Sequence, residues 1–146
     1  MATTQYFRLR WIKFMYLYTI IGAGVFGLGM IFIPDVIKSA SNWPANEPVI
    51  FSITGSLFTA LGIVSIFGLI SPMKFVPLLL LQLCYKLIWF LLVVIPMLIT
   101  GRFPSYAIPI AIFWLTYVVG DLIAIPFRYL FNKQPIQEMS PIPDRR

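Results

Sequence analysis

The chain has 146 residues, of which 60% are hydrophobic and 11% charged, and its formal net charge is +6. A soluble domain ordinarily carries about 25% charged residues, so a mean hydropathy of +0.89 excludes an ordinary water-soluble fold and indicates a chain solvated by lipid. With no histidine and one cysteine, Cys84, the usual ligand of haem, non-haem iron and zinc sites is missing, as are imidazole proton relays and any intrachain disulfide or CxxC redox pair. No GxSxG, HExxH, P-loop or Gly-rich dinucleotide fingerprint occurs.

In chain order, Tyr6, Phe7, Arg8, Arg10, Trp11 and Lys13 mix aromatic and basic residues, as suits a membrane interface. An apolar run then predicts a first span at about 14–34. A cleaved signal peptide is the competing reading, because Ser39-Ala40-Ser41 resembles a cleavage site. A retained span is preferred, since the run exceeds a signal core of about 7 to 15 residues. Gly22, Gly24, Gly27 and Gly29 predict close helix approach along this span. The following loop, Asp35 to Glu47, opens with a short interfacial helix from Pro34-Asp35 to Lys38, and Pro48 suits the first turn of span 2.

Span 2, at about 49–71, places Ser52, Gly55, Ser56, Thr59 and Gly62 at helical spacing on one side. Gly22, Gly29, Gly55, Thr59 and Gly62 are accordingly the expected helix-packing positions. Ser71-Pro72 marks a sharp turn into span 3, at about 76–100, and the Gly101 to Ser105 turn leads into span 4, at about 105–127. Short turns predict neighbouring antiparallel spans in one all-α transmembrane domain, residues 1–131, a four-helix bundle. Residues 132–146 read as a polar, proline-spaced cytoplasmic tail without fixed structure.

The basic residues set an expected orientation. Arg8, Arg10, Lys13, Lys74, Arg128, Lys133, Arg145 and Arg146 fall on one side of the predicted membrane, and only Lys38 and Arg102 on the other. The positive-inside rule predicts cytoplasmic N- and C-termini in a cell inner membrane. This distribution also favours lipid headgroups over nucleic acid as the partner of the net positive charge.

The four apolar stretches contain two formal charges, Lys86 and Asp121, each costing on the order of 3 kcal/mol if unpaired in hydrocarbon. Gln82, Tyr85, Lys86 and Trp89 follow i, i+3, i+4, i+7 spacing and share one face of span 3. Phe113, Tyr117, Gly120, Asp121 and Ala124 form a comparable stripe on span 4. Two readings follow. In one, Lys86 and Asp121 are a structural ion pair that fixes helix register, with Tyr85, Tyr117 and Gln82 taking the remaining hydrogen bonds. In the other, they line a pocket between spans 3 and 4 that binds a small ligand or relays protons.

The segment from Gly55-Ser56-Leu57-Phe58-Thr59-Ala60-Leu61-Gly62-Ile63 through Gly68-Leu69-Ile70-Ser71-Pro72, following a glycine-rich first span and a loop, resembles the DoxX-like superfamily of small four-helix membrane proteins. That resemblance implies the four-span topology, and roles that range from sulfur and quinone oxidation to membrane-protein chaperoning. The leading functional expectation is an accessory, assembly or structural component without autonomous catalysis. It would act through helix packing with other membrane subunits or with its own copies, and would need no metal or cofactor. The alternative is a membrane-embedded small-molecule or quinone-binding protein, or an enzyme, using the pocket around Lys86.

Overall fold

The computed structural model describes residues 2–43, 48–127 and 130, with side chains from residue 8 onward. Among these there is no strand, and four helices are long and apolar enough to cross a membrane: Arg8–Phe32, Pro48–Ile70, Val76–Ile99 and Ser105–Ala124. They are called spans 1 to 4. The polar tail expected over 132–146 lies outside the described residues.

Span 1 is built from α1 (Ala2–Thr19), a π-helical turn (Ile20–Val25) and α2 (Phe26–Phe32). The helix therefore begins well before the predicted residue 14, because the basic and aromatic interface residues simply continue it. It ends where Ile33 leaves the helical region at φ −134° and ψ 54°. Ile33 precedes Pro34, and the proline ring disfavours helical geometry in the residue before it. Pro34 then starts α3 (Pro34–Ser41), with Asp35 in its first turn. A helix was expected here, and it runs about one turn longer than the sequence suggested. Asn42 closes it in the left-handed region, donating to Ser39 O while Trp43 donates to Lys38 O, a Schellman arrangement.

Span 2 is one helix, α4 (Pro48–Ile70), and its small residues lie directly against span 1. A Cβ at Gly62 would stand 2.5 Å from the Cα of Gly24, and a Cβ at Gly27 would stand 2.6 Å from the Thr59 amide nitrogen. Gly55 receives Met30, and Gly68 receives the ring of Tyr16. Gly55, Thr59 and Gly62 thus pack within the chain. Gly29 faces Ile37 of α3 instead, and Gly22 faces Phe113 and the Tyr117 hydroxyl of span 4.

Span 3 comprises α5 (Val76–Trp89), a second π-helical turn (Phe90–Val94) and α6 (Ile95–Ile99). The amide of Ile95 reaches back five residues to Phe90 O. Pro96, which follows, lacks an amide hydrogen and its ring would crowd the carbonyl four residues earlier, so widening the preceding turn relieves the clash. Gly101, at φ 64°, ends the span, with Gly101 donating to Leu98 O and Arg102 to Met97 O. A 3₁₀ turn (Ser105–Ala107) leads into α7 (Ile108–Ala124). That helix stops short of the predicted residue 127 because Ile125, before Pro126, is extended at ψ 120°.

The apolar core joins spans 1, 3 and 4 in one half of the molecule, through Ile12, Met15, Tyr16, Val76, Leu79, Leu83, Tyr117, Val118 and Ala124. Trp11 Nε1 donates to Gly120 O at 3.1 Å, holding spans 1 and 4 together there. In the other half, the Phe90–Ile99 portion of span 3 makes no extended backbone approach to another span. A cavity occupies that half.

Candidate functional site: a buried polar layer and an aromatic cavity

Spans 1, 3 and 4 each send one buried polar side chain into a single layer beside the core. Gln82 and Asp121 are both 0% exposed, and Gln82 Nε2 lies 3.2 Å from Thr19 Oγ1 and 3.3 Å from Asp121 Oδ2. With two amide hydrogens, Gln82 serves both neighbours at once. Thr19 Oγ1 in turn donates a hydrogen bond to Met15 O at 2.9 Å. Asp121 Oδ1 has no hydrogen-bond partner among the described residues.

Lys86 lies one turn beyond Gln82 and is 2% exposed. Its Nζ donates to the Tyr85 hydroxyl at 2.8 Å and sits 4.3 Å from the ring centroid of Tyr117 and 4.4 Å from that of Tyr85. The Trp114 ring is 5.8 Å away. These distances are in the range where ring quadrupoles attract a cation. No ion pair within 4.0 Å joins Lys86 to Asp121. The expected direct bridge is therefore replaced by a staggered arrangement. Asp121 is level with Gln82, and Lys86 is level with Tyr117, one turn away along span 4, so the ammonium meets ring faces before it could meet the carboxylate.

Tyr117 is fixed from behind, its hydroxyl donating to Tyr18 O at 3.0 Å. Tyr18 in turn shares a 2.8 Å hydrogen bond with Thr116 Oγ1. Gly22 makes this possible, since a Cβ there would collide with the Tyr117 hydroxyl.

The cavity has a volume of about 590 Å³, and all four spans contribute to its wall. Tyr85, Lys86 and Tyr117 line one part of it, and Trp43, Phe103, Pro104 and Tyr106, in or beside the connecting segments, line another. Between them the wall is apolar and rich in rings, with Phe58, Trp89 and Trp114 in edge-to-face contact at centroid separations of 6.3 Å and 4.8 Å. Both π-helical turns border it, through Gly22 and Ala23 and through Val93.

Of the site residues predicted from sequence, Tyr85, Lys86, Trp89 and Tyr117 share the cavity wall, whereas Gln82 and Asp121 lie behind it. Sequence reasoning missed Trp114 and Thr19. Trp114 was within reach, since 114, 117 and 121 follow i, i+3, i+7 spacing on the face already singled out. Thr19 carried no such signal. Cys84 is exposed on the outside of span 3, and no cluster of metal-ligating side chains occurs among the described residues.

No family model matches the sequence, and no curated protein or solved structure is detectably similar to it. These comparisons neither support nor refute the DoxX-like resemblance.

Proposed function

We propose that this chain is a membrane-embedded binding protein that holds a small, largely apolar molecule in the cavity bounded by Lys86. The observation that carries this reading is the cavity itself. At about 590 Å³ it falls within the roughly 300–1,000 Å³ of sites that enclose small molecules, and it combines an apolar aromatic wall with few polar groups, the usual composition of such sites. A quinone is one candidate, its ring between the aromatic side chains and a carbonyl at Lys86 and Tyr85.

The accessory-component reading, in which the glycine faces of spans 1 and 2 dock other subunits, has less support. Gly24, Gly27, Gly55 and Gly62 are occupied by one another and by neighbouring side chains of the same chain.

The proposal includes an antiparallel four-helix bundle in a cell inner membrane, with cytoplasmic termini. Its support is the clustering of Arg8, Arg10, Lys13 and Lys74 away from Lys38 and Arg102. A DoxX-like origin belongs to the same proposal.

The test is native mass spectrometry of protein purified in mild detergent, followed by solvent extraction and identification of the released molecules. Wild type and Ile53→Phe, altered at an exposed position, retain a bound small molecule. Thr54→Phe, which fills the cavity from span 2, loses it. Identical adducts in all three proteins would refute the assignment of the cavity as the site.

A further inference from the structure

We propose that the cavity ligand is a single-chain amphiphile with a carboxylate head, and that Lys86 and Tyr85 clamp the head. The proposal rests on the small-molecule reading of the cavity and goes beyond it by naming the ligand's charge and size.

An ammonium group carries three donors, and Lys86 Nζ uses one of them, on the Tyr85 hydroxyl at 2.8 Å. The ring faces of Tyr85 and Tyr117 attract the cation but accept no conventional hydrogen bond from it. Two N–H groups remain for a ligand. Tyr85 is complementary, because its oxygen accepts from Lys86 while its own hydrogen has no acceptor among the described residues. Lys86 and Tyr85 both line the cavity. Together they present an N–H and an O–H side by side, which matches the two oxygens of a carboxylate.

Charge selects an anion over a neutral acceptor. Lys86 is buried with no carboxylate within 4.0 Å among the described residues, and a charge held in a low-dielectric interior gains most from a counter-charge at hydrogen-bond distance. Asp121 is farther off, with Gln82 bound to its Oδ2, and it does not line the cavity. Because the interior already holds the buried carboxylate of Asp121, a single negative charge adds less surplus than a phosphate dianion would in the same apolar space.

Size narrows the class further. The cavity volume of about 590 Å³ is in the range of sites that hold one small molecule, which suits a single acyl chain with its head. The wall beyond Lys86, formed by Phe58, Trp89, Val93 and Trp114, is matched to a hydrocarbon tail.

The experiment places the full chain in nanodiscs of saturated phosphatidylcholine and follows quenching of tryptophan fluorescence by three probes: dibromostearate, its uncharged methyl ester and a neutral short-tailed quinone. Trp43, Trp89 and Trp114 line the cavity, so a bound brominated chain quenches them. The expected result is saturable quenching by the carboxylate, with the ester and the quinone weaker by about tenfold or more, the loss of one charge-assisted contact. Lys86→Met brings the carboxylate to the level of the ester, and Lys86→Arg keeps the preference. Asp121→Asn, which removes the competing negative charge, tightens the carboxylate and leaves the ester unchanged.

Equal affinity for all three probes, unaltered by Lys86→Met, would overturn the carboxylate assignment while Thr54→Phe still abolished binding. A quinone preference would do the same. Quenching that ignores Thr54→Phe for every probe would bring down the cavity reading as well.

Discussion

Gln82 donates to Asp121 Oδ2 at 3.3 Å, the contact across spans 3 and 4 that the sequence alone assigned to Lys86. The neutral amide, not the ammonium, therefore holds the buried carboxylate in place, and Lys86 is released to face the cavity. Removing Gln82 strips Asp121 of the one side-chain donor it has among the described residues.

Gln82→Ala is expected to lower stability by about 1–3 kcal/mol, the usual cost of leaving a buried acceptor without its donor. Gln82→Glu is expected to be worse, since it sets a second carboxyl group against Asp121 and withdraws the amide hydrogens that serve both neighbours. Reversible unfolding in mixed detergent measures both, and a Gln82→Glu protein as stable as wild type would show that the layer is not organised as described.

A double-mutant cycle on Lys86→Met and Asp121→Asn is expected to give a modest coupling, about 1 kcal/mol or less. A directly bonded buried pair would show a large one, because either single replacement would strand its partner at a cost of about 3–5 kcal/mol. A coupling in that upper range would mean that Lys86 and Asp121 are in contact.

How far these features were legible depends on what each one rests on. The spans were legible because lipid demands long apolar helices whatever their neighbours are, and the ends at Ile33 and Ile125 fall close to the bounds of 34 and 127 that the apolar runs predicted. The shared face of Tyr85, Lys86 and Trp89 was legible from spacing alone. The partner of Asp121 was not, because helix periodicity gives direction around an axis, whereas the choice between Gln82 and Lys86 depends on relative height between two helices. The second π-helical turn has a visible cause in Pro96; the structure offers no comparable cause for the first.

Close backbone packing makes the glycine contacts sensitive to side-chain size. Gly62→Ala would bring a methyl group to 2.5 Å from Gly24 Cα, and overpacking of this kind costs about 1–3 kcal/mol. Gly62→Leu is expected to abolish folded yield, while Ile53→Leu at an exposed position leaves it unchanged. Equal yields for the three variants would contradict the contact between spans 1 and 2.

Tyr117→Phe removes the hydrogen bond to Tyr18 O but keeps the ring beneath Lys86, so a stability loss of about 1 kcal/mol is expected. Tyr117→Leu keeps bulk without the ring and is expected to weaken probe binding at Lys86 as well. Tryptophan quenching separates the two effects, and identical binding by the Phe and Leu variants would exclude a role for the ring face.

The proposed orientation is open to cysteine labelling in a Cys84→Ser background. Ala40→Cys and Ser105→Cys are expected to react with an impermeant maleimide added outside intact cells, and Lys74→Cys only after lysis. The reverse pattern would invert the topology.

The most direct measurement is an experimental structure of the full chain in a lipid nanodisc, at a resolution that shows side chains. The predicted result is an elongated density ending at Lys86 Nζ and Tyr85 Oη, enclosed by Trp89 and Trp114, with Gln82 on Asp121. The contradicting result is Lys86 bonded to Asp121 and the Phe90–Ile99 portion of span 3 closed onto span 2, with no space between them.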